Sequence, residues 1–354
     1  MKFYIVLFSL YIPVIYNLHS KVSVSKLSKL DNPWSIAFIN DNEILITEKQ
    51  GKIKLFNINE KKLSSISHNL NVNSQGQGGL LDIVYKNDRV WISYSEKISS
   101  SLSTTSIATS EFNVKDLKFI NIFQSVPPIN SGFHFGSRLV LKNNYIFASI
   151  GERGKGMIAQ DGSQHPGSII RIHKDGSIPD DNPHYLNRNS WLPEIYQIGL
   201  RNPQGLELSH LDDHLYTTNH GARGGDFFGK VFFGGNYGWK ILGWGGKNYS
   251  GTYIGPKWKE GFNKAIYYWV PSIGISSFVI YKGKEFSYLN GQAIIGSLKY
   301  ETLYSMDFFD KTTVSRPEIL LQNVLGKIRD IEIHPKTGKI FVISKEYLWL
   351  LENK

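Results

Sequence analysis

The sequence predicts an all-β chain folded as a six-bladed β-propeller with four-stranded antiparallel blades. Two observations lead to this fold class. Beyond residue 20, short apolar runs rich in Ile, Val, Phe, Tyr and Trp alternate with turn sequences such as Asn-Asp, Asp-Gly and Gly-Lys, which is the pattern of β-hairpins. A loose repeat of this pattern also recurs along the chain, whereas few windows show the period of a helix.

The repeat consists of an apolar strand, a polar turn, a second strand ending in a small or charged residue, and a glycine before a third strand. Six copies, about 45–70 residues apart, lie at Ile36–Phe56, Leu81–Tyr94, Arg138–Ile150, Gly205–Thr218, Ser277–Leu303 and Ile331–Leu351. One copy cannot bury both of its faces, so we expect the copies to stack into one closed domain. Two packed sandwiches are the alternative, but they would not explain six similar hairpins.

The composition of the 354 residues excludes several classes of protein. The chain is 13% aromatic and contains no cysteine, which excludes disorder, disulfides, cysteine-ligated metals and thiol nucleophiles. The formal net charge is +10, from 40 Lys and Arg against 30 Asp and Glu. The basic residues are scattered rather than gathered in runs, so we expect no nucleic-acid partner.

The first twenty residues differ from the rest of the chain. Met1-Lys2 precedes an apolar run, Phe3–Tyr16, that is too short for a membrane span. We predict a signal peptide at residues 1–20, with an uncleaved anchor as the alternative, and a single propeller domain at residues 21–354. No later segment is long and apolar enough for a span, so the mature chain is expected to be periplasmic or secreted and not integral to a membrane.

The loops of a propeller gather over its central channel, so polar residues in long loops are the candidates for chemistry. His134 lies where a loop meets a strand, and it is a candidate proton acceptor or, alternatively, a structural histidine. Arg201 and Asn202 are consecutive donors held by Pro203. They suit recognition of carbonyl or carboxylate oxygens, although an arginine buried against a carboxylate of a neighbouring blade is the alternative.

Two further groups of residues suggest ligands. The loop Asn219–Asp226 contains three glycines, and its exposed backbone carbonyls are the hard oxygen ligands that Ca²⁺ prefers. Lys299, Lys327 and Arg329 are cations at predicted strand edges. A propeller can direct all three at one anion, although each can equally be a solvated surface charge.

Ten ordered motifs, spread from Asn32 to the end of the chain, are shared with one family. They are Gly76–Leu81, His134–Arg138, Gly154 with Ala159–Asp161, Asp180–Pro183, Tyr196–Gly205, His220–Asp226, Asn236–Trp239, Tyr268–Ser272, Ser297–Lys299 and Ile328–Asp330. On these motifs the chain resembles the soluble PQQ-dependent sugar dehydrogenases, and most of all their aldose sugar dehydrogenase branch.

The resemblance implies an enzyme that oxidises aldose sugars to lactones, with pyrroloquinoline quinone (PQQ) lying on top of the channel and Ca²⁺ beside it. It implies that His134 is the general base and that Arg201 hydrogen-bonds the quinone oxygen that gains charge. The other cofactor contacts that it implies are Gln77, Asn202, His220, Trp269, Lys299, Lys327 and Arg329. The calcium ligands would come from Gly221, Ala222 and Asp226.

Four positions depart from the family pattern. Ala222 stands where the family has proline, and Phe227 stands where an acidic residue commonly follows Asp226. Lys327 replaces an arginine of the glucose-specific branch, so a point charge replaces a bidentate contact. Phe133 replaces an acidic or small residue before the expected base, which predicts that this base lacks an orienting partner.

Two other functions stay open at this point. The scaffold can carry a non-catalytic ligand site, because function lies in sites grafted on folds. A calcium-dependent hydrolase of the lactonase type is the second alternative, but it needs side-chain carboxylates around the metal, and the candidate loops offer few. For the dehydrogenase, the expected partners are an aldose substrate and an external electron acceptor, with the chain a monomer or a dimer.

Overall fold

Six antiparallel sheets surround a central channel, and each sheet forms one blade. The computed structural model describes residues 22–309 and 314–354, so the predicted signal peptide lies outside the described residues. None of the helices in these two ranges has the length and apolar character needed to cross a membrane. The six-bladed β-propeller predicted from the sequence is confirmed.

Strands account for nearly all of the regular structure in the described ranges. The first ten are β1 (Val22–Lys29), β2 (Pro33–Phe38), β3 (Glu43–Glu48), β4 (Lys52–Asn57), β5 (Lys62–His68), β6 (Leu80–Lys86), β7 (Arg89–Lys97), β8 (Ser103–Glu111), β9 (Asp116–Leu117) and β10 (Ile120–Gln124). The next nine are β11 (Gly136–Lys142), β12 (Tyr145–Ile150), β13 (Ser168–His173), β14 (Ile195–Ile198), β15 (Pro203–Leu208), β16 (Leu215–Asn219), β17 (Asp226–Lys230), β18 (Gly235–Asn236) and β19 (Tyr267–Trp269). The last seven are β20 (Ile275–Ile280), β21 (Ala293–Ser297), β22 (Thr302–Met306), β23 (Glu318–Gln322), β24 (Ile328–Ile333), β25 (Ile340–Ser344) and β26 (Tyr347–Asn353). One helical turn, α1 (Pro183–Leu186), and two 3₁₀ segments, Gly156–Gln160 and Ser287–Leu289, lie in loops.

The blades follow one another along the chain. From the channel outward, blade 1 is β2-β3-β4-β5, blade 2 is β6-β7-β8-β10, blade 3 is β11-β12-β13-β14, blade 4 is β15-β16-β17-β19, blade 5 is β20-β21-β22-β23 and blade 6 is β24-β25-β26-β1. In blade 6 the first strand pairs with the last, with Val22 opposite Asn353. Backbone hydrogen bonds therefore close the ring. The inner two strands of each blade fall within one of the six repeat copies or overlap it, which explains their similar sequences.

Blades 1 and 3 carry a fifth strand that the sequence did not indicate. The short strand β9 pairs in parallel with β5, and β18 pairs in parallel with β14. Both belong to long loops that return along the outer edge of a blade. They cover backbone groups that an open sheet edge would leave unpaired.

The middle strands are buried on both faces because each blade is packed between two others. In β3, Ile44, Leu45 and Ile46 are all fully buried. Ile44 and Ile46 pack in the core shared with blade 6, whereas Leu45 packs in the core shared with blade 2. A continuous apolar run is the pattern expected of a strand with no solvent-facing side.

Each inner strand changes register near its first residues. The shifts fall between Pro33 and Ser35, Leu80 and Ile83, Gly136 and Leu139, Pro203 and Gly205, Ile275 and Phe278, and Ile328 and Asp330. Such bulges redirect the side chain of the extra residue. All six occur at the same end of the ring, which we call the upper face, and the turns that follow the inner strands form the lower face.

Arg138, in the bulge of β11, joins several blades at the centre of the ring. Its Nη1 lies 2.9 Å from Asp82 Oδ1 and 2.8 Å from Asp330 Oδ1. Its Nε donates to the Gln204 carbonyl and its Nη2 donates to the Arg329 carbonyl. Burial alone would lower the pKa of this guanidinium, but the two carboxylates raise it. Truncating a partner in such a buried network costs about 3–5 kcal/mol.

Glu207 on β15 and Glu332 on β24 lie close enough to this network for its charges to change their pKa values. Burial, together with the charges of Asp330 and Asp82, raises the pKa of Glu207 to about 8. The same causes, with Glu207 itself, raise the pKa of Glu332 well above its usual value. Neither carboxyl group has an ion-pair partner in residues 22–309 and 314–354, so ionisation of these groups at alkaline pH opposes folding.

We therefore expect Glu207→Gln to stabilise the protein in a pH-dependent way. The native state binds the Glu207 proton more tightly than the unfolded state does, so the wild type loses stability relative to the variant as the pH rises from about 4.5 to about 8. Thermal unfolding followed by circular dichroism at pH 5 and pH 8 measures the difference. Glu60→Gln, on the exposed surface, is the control. A gain in stability from Glu207→Gln that is equal at both pH values would contradict the raised pKa of Glu207 in the folded protein.

Candidate active site

A cavity of 760 Å³ opens on the upper face, over the channel. Its wall includes the polar and aromatic residues Lys49, Gln77, Phe133, His134, Arg201, Asn202, Gln204, His220, Tyr249, Lys327, Arg329 and Lys345. Seven of the residues singled out in the sequence lie here: Gln77, His134, Arg201, Asn202, His220, Lys327 and Arg329. Separate loops and blades of the ring contribute them, so only the closed ring brings them together.

His134 is held in a strained backbone conformation at the cavity wall. Its φ of 51° lies in the left-handed region, which is uncommon for residues other than glycine, although Asn, Asp and His adopt it more often than the rest. Its N–H donates to Gln77 Oε1 at 2.8 Å, and its carbonyl accepts from the Arg153 N–H at 3.2 Å. A Cβ on Gly151 would lie 2.2 Å from that carbonyl oxygen, so this neighbour has to be glycine. Three other loop residues thus hold the His134 backbone in place.

Glu152 orients the His134 ring. The ring Nδ1 lies 2.5 Å from Glu152 Oε1, and Glu152 Oε2 accepts the Gly156 N–H at 2.6 Å. Burial would raise the pKa of Glu152, but the His134 hydrogen bond, the Gly156 N–H and the Arg201 charge hold it below its usual value. The expectation that Phe133 leaves the base without an orienting partner is therefore wrong, because the partner comes from a different loop.

The protonation state of His134 follows from this geometry. Burial lowers the pKa of the imidazole, although Glu152 opposes the change. The neutral ring then carries its proton on Nδ1, because an ionised carboxylate only accepts hydrogen bonds. Within the described residues Nε2 has no hydrogen-bond partner, and the ring lines the cavity. Nε2 is consequently a free proton acceptor.

Arg153 supports the same loop from below. Its guanidinium is buried and donates to the carbonyl oxygens of Phe133, Ser131 and Ser103 and to the Ser103 hydroxyl. It also lies 3.7 Å from the centre of the Phe135 ring. Burial lowers the pKa of Arg153 to about 10. The group fastens residues on both sides of His134 to blade 2.

Arg201 directs donors into the cavity. Its Nη1 makes a 3.5 Å contact to the His220 carbonyl, and its guanidinium lies 5.5 Å from the centre of the Trp239 ring. No carboxylate in the described part of the chain forms an ion pair with it, so the alternative of an arginine buried against a neighbouring carboxylate is not what the structure shows. Burial lowers the pKa of Arg201. The Asn219 side chain accepts the Arg201 and Asn202 N–H groups, both at 3.0 Å, and fixes the turn.

The cavity is strongly cationic. Lys49, Arg201, Lys327, Arg329 and Lys345 line it, and no Asp or Glu is among the described residues that do. Burial and the neighbouring Arg138 lower the pKa of Arg329 to about 10, and burial with the Arg329 charge lowers the pKa of Lys49. Arg329 donates one hydrogen bond to Gln204 at 3.1 Å. Such a site favours a ligand with several negative charges.

Four residues of the site were not identified from the sequence. Glu152, Lys49, Lys345 and Tyr249 were not singled out, although Glu152 and Lys49 follow strand ends on the upper face. An acidic residue just after a strand and close to a Gly-rich turn, as in Gly151-Glu152-Arg153-Gly154, is a signal that points to such a partner. The lysines offer no comparable signal, because single lysines at turns are common on any surface.

Lys299 and Trp269 lie beside the cavity and not in its wall. Leu298 lines the cavity, whereas the exposed Lys299 donates from Nζ to the Ser272 carbonyl at 3.2 Å. Trp269, on the outermost strand of blade 4, packs in the apolar core with Phe228 and Ile273. The sequence motifs placed both residues near the site but did not determine which way their side chains point.

The loop expected to bind calcium has two free carbonyl groups. Gly221 and Ala222 are buried, and neither carbonyl oxygen accepts a hydrogen bond from the described residues. Asp226 is also buried, but its carboxylate already accepts the Gly221 and Ile275 N–H groups, at 2.8 and 2.9 Å. In residues 22–309 and 314–354, no group of three or more His, Cys, Asp or Glu side chains is arranged to hold a metal ion. Carbonyl oxygens are the ligands that this loop offers.

A neutral histidine completes the wall next to this loop. Burial, with the charges of Arg201 and Arg329, lowers the pKa of His220 to about 4 although Asp226 opposes the change. The backbone N–H of His220 donates to the Asn202 carbonyl at 3.0 Å. At neutral pH this ring adds polarity to the cavity without adding positive charge.

Comparison with known proteins gives a consistent picture. The family model of glucose/sorbosone dehydrogenases matches residues 30–348. The chain is 32% identical over 332 residues to aldose sugar dehydrogenase YliI of Escherichia coli K12, covering 90% of this chain and 88% of that protein. It is 28% identical over 249 residues to quinoprotein glucose dehydrogenase B of Acinetobacter calcoaceticus, covering 60% of this chain and 51% of that protein.

Solved structures agree with the fold. The soluble aldose sugar dehydrogenase of Escherichia coli in its apo form superposes with a TM-score of 0.89 at 30% identity, covering 94% of this chain and 100% of that one. The PQQ-bound aldose sugar dehydrogenase of Streptomyces coelicolor superposes with a TM-score of 0.76 at 20% identity, covering 94% and 99%. At the lower identity the likeness shows the fold alone.

We expect Glu152→Gln to lower the pKa of His134 further. The amide keeps a hydrogen bond to Nδ1, but it removes the carboxylate that favours the charged imidazolium. Titration of the His134 ring nitrogens by long-range ¹H–¹⁵N NMR measures the shift. Glu194→Gln is the matched control, because Glu194 makes a similar contact, 3.3 Å, to His165 on another loop. A His134 pKa that rises in Glu152→Gln would show that the carboxylate does not stabilise the imidazolium.

Proposed function

The chain belongs to the glucose/sorbosone dehydrogenase family, and we propose that it is a PQQ-dependent enzyme that oxidises aldose sugars to lactones. The family model and the Escherichia coli relative confirm the resemblance found in the sequence motifs. One observation carries the proposal for the cofactor and the reaction. A histidine with a free Nε2 and an ionised partner stands in a cavity whose charged side chains are all cationic.

The donor set of the cavity fits PQQ. The cofactor is a flat tricarboxylate, and Lys49, Lys327, Arg329 and Arg201 offer cationic donors around the rim and floor. Gln77 and Asn202 supply neutral polar groups, and Trp34 supplies an aromatic wall. When bound, the quinone supplies the oxidant that accepts a hydride from the sugar. For the PQQ carboxylates we assign Lys327 and Arg329 as the principal partners.

A calcium ion fits the loop that follows β16. The carbonyl oxygens of Gly221 and Ala222 would hold it, and both are free within the described residues. Replacement of proline by Ala222 leaves such a ligand intact, because the ligand is a backbone atom. Ca²⁺ takes six to eight oxygen ligands, so water and the cofactor would have to supply the remaining ones. We propose that Asp226 shapes this loop through the Gly221 N–H and acts on the ion at longer range.

His134 performs the proton transfer in this proposal. The free Nε2 accepts the proton of the anomeric hydroxyl while a hydride leaves the same carbon, so the carbon is oxidised by two electrons. Glu152 then faces an imidazolium and stabilises it through the Nδ1 hydrogen bond. A positioned base of this kind contributes about 10²–10⁴-fold to the rate. Because the pKa of His134 is lowered, Nε2 stays free of its proton at neutral pH.

Arg201 stabilises the charge that develops on the oxidant. Its guanidinium is held by the Trp239 ring and by the turn that Asn219 fixes, so it needs no reorganisation when charge develops. Fixed donors in a site shielded from water are the strongest electrostatic contribution to catalysis. We therefore assign Arg201 as the second catalytic residue and His220 as a neutral contact to the cofactor.

Two other functions fit the site less well. A lactonase-type hydrolase needs carboxylate ligands around its metal, whereas the charged groups along the described wall of the cavity are cations. A purely ligand-binding propeller leaves the free Nε2 of His134 and the Glu152 partner that orients its ring without a purpose. For the dehydrogenase we propose a secreted or periplasmic location and an external electron acceptor.

His134→Gln is expected to slow turnover strongly and to leave PQQ binding nearly unchanged. The base acts on the sugar in the transition state, whereas the cations hold the cofactor. Dye reduction with glucose and xylose should fall by about 10²–10⁴-fold, while the dissociation constant of PQQ, measured by absorbance titration in the presence of Ca²⁺, stays within about twofold. His184→Gln, outside the cavity, is the control. Activity in His134→Gln equal to that of the wild type would exclude this residue as the base.

The variant Lys327→Ala/Arg329→Ala is expected to show the opposite behaviour. Loss of two cations should raise the dissociation constant of PQQ by at least tenfold, because charge-assisted contacts to carboxylates are the strong ones. Saturating PQQ should restore much of the activity.

Lys299→Ala distinguishes the two assignments of cofactor contacts. The sequence motifs predict weaker PQQ binding for this variant, whereas the contact of Lys299 with Ser272 predicts no change. Lys62→Ala, on the exposed surface, is the control for general effects of charge. For the double variant Lys327→Ala/Arg329→Ala described above, unchanged PQQ binding would show that the PQQ carboxylates bind elsewhere.

A further inference from the structure

A second cationic cavity lies on the lower face, at the opposite end of the ring from the candidate active site. Its volume is 610 Å³, and the turns that follow the inner strands of blades 4, 5 and 6 line it. The charged and titratable side chains of its wall are His210, Lys282, Lys284 and Lys336. No Asp or Glu is among the described residues that line it. We call it the lower pocket.

The lysines of the lower pocket are poorly neutralised. Lys282 and Lys284 are exposed and form no ion pair with any residue in the described ranges. Lys336 reaches Asp41 at 3.4 Å, but this pair is largely exposed to water and contributes little. Burial and the charge of Lys282 lower the pKa of His210, so its ring lies within the field of that ammonium group.

Acidic side chains near these turns are engaged elsewhere. Asp212 accepts hydrogen bonds from the Tyr216 hydroxyl and from Lys230. Asp213 pairs with Lys142 at 2.7 Å, and Glu285 accepts the Asn353 N–H at 2.8 Å. In the described ranges, none of these three carboxylates forms an ion pair with Lys282 or Lys284.

The turns that form the lower pocket are rigidly joined. The Tyr281 hydroxyl donates to the Gly338 carbonyl at 2.8 Å and accepts the Phe286 N–H at 2.9 Å. Gly283 and Gly338 pack directly against each other, since a Cβ on Gly283 would lie 2.8 Å from the Gly338 Cα. The backbone of the turns that carry the lysines is consequently held in place before any ligand arrives, which lowers the cost of binding.

We propose that the lower pocket binds a phosphate group, either as free phosphate or as a phosphate monoester. Three ammonium groups and an imidazole surround a space with room for such a ligand, and lysine ammonium groups bind phosphate oxygens as point charges. Leu211 and Pro335 provide an apolar wall for the carbon part of a monoester. The lower pocket is separate from the cavity over His134, so this binding site is independent of the proposed dehydrogenase activity.

Inorganic phosphate and glycerol 3-phosphate are the probes. The full chain is titrated by isothermal calorimetry at pH 7 and followed by thermal unfolding, with KCl at equal ionic strength as the reference. We expect saturable binding that raises the midpoint of unfolding, and a dissociation constant at least tenfold higher in Lys282→Ala/Lys284→Ala. Tighter binding of glycerol 3-phosphate than of phosphate identifies a monoester as the ligand, and the reverse order identifies free phosphate.

Two matched variants separate the lower pocket from general charge and from the upper cavity. Lys62→Ala/Lys86→Ala removes two exposed lysines that lie outside the lower pocket and should bind the probes like the wild type. Lys327→Ala/Arg329→Ala weakens the upper cavity and should also leave this binding unchanged, whether or not PQQ binds. The proposal is overturned if KCl stabilises the protein as much as phosphate does, or if Lys282→Ala/Lys284→Ala binds both probes with wild-type affinity.

Discussion

The geometry of the upper cavity depends on Arg138. This buried guanidinium joins Asp82 of blade 2 and Asp330 of blade 6, donates to the carbonyl groups of Gln204 and Arg329, and lies 4.2 Å from the centre of the Trp34 ring. Gln204, Arg329 and Trp34 occupy the bulges of three inner strands, and all three line the cavity. One ion-pair network therefore fixes the floor on which a ligand rests. A change in this network is transmitted to several blades at once.

The cations of the cavity are assembled at a cost in stability. Burial lowers the pKa values of Arg201, Arg329 and Lys49, and the first two have no carboxylate partner on the cavity wall. Mutual repulsion of these groups opposes folding, and a polyanionic ligand removes that repulsion when it binds. A site that binds an anion tightly is expected to destabilise the protein when it is empty and to stabilise the protein when the anion is bound. Until such a ligand binds, the hydrogen bonds of the buried Arg138 and Arg153 guanidinium groups hold the cationic cavity together.

The sequence predicts the fold better than it predicts the site, for a physical reason. The six repeat copies are visible because the burial of strands such as β3 on both faces imposes a similar continuous apolar run on each blade. Gln77, His134 and Arg201 were found because they lie in ordered motifs. Glu152 was missed because its pairing with His134 joins two separate loops. The orientations of Lys299 and Trp269 depend on which side of a strand end each side chain occupies, and motif order carries no information about this.

The charge distribution along the channel determines how an anion reaches the site. Below the floor, the carboxylates of Asp82 and Asp330 outnumber the Arg138 guanidinium that pairs with both of them, whereas the raised pKa values of Glu207 and Glu332 keep those two groups largely protonated at neutral pH. Negative groups with low-dielectric walls repel an anion, so the channel below the floor disfavours an anion, whereas the cations of the upper cavity attract one. The upper cavity opens beside the rings of Phe133 and Tyr249. An anion therefore reaches the cations of this cavity more readily through that opening than through the ring.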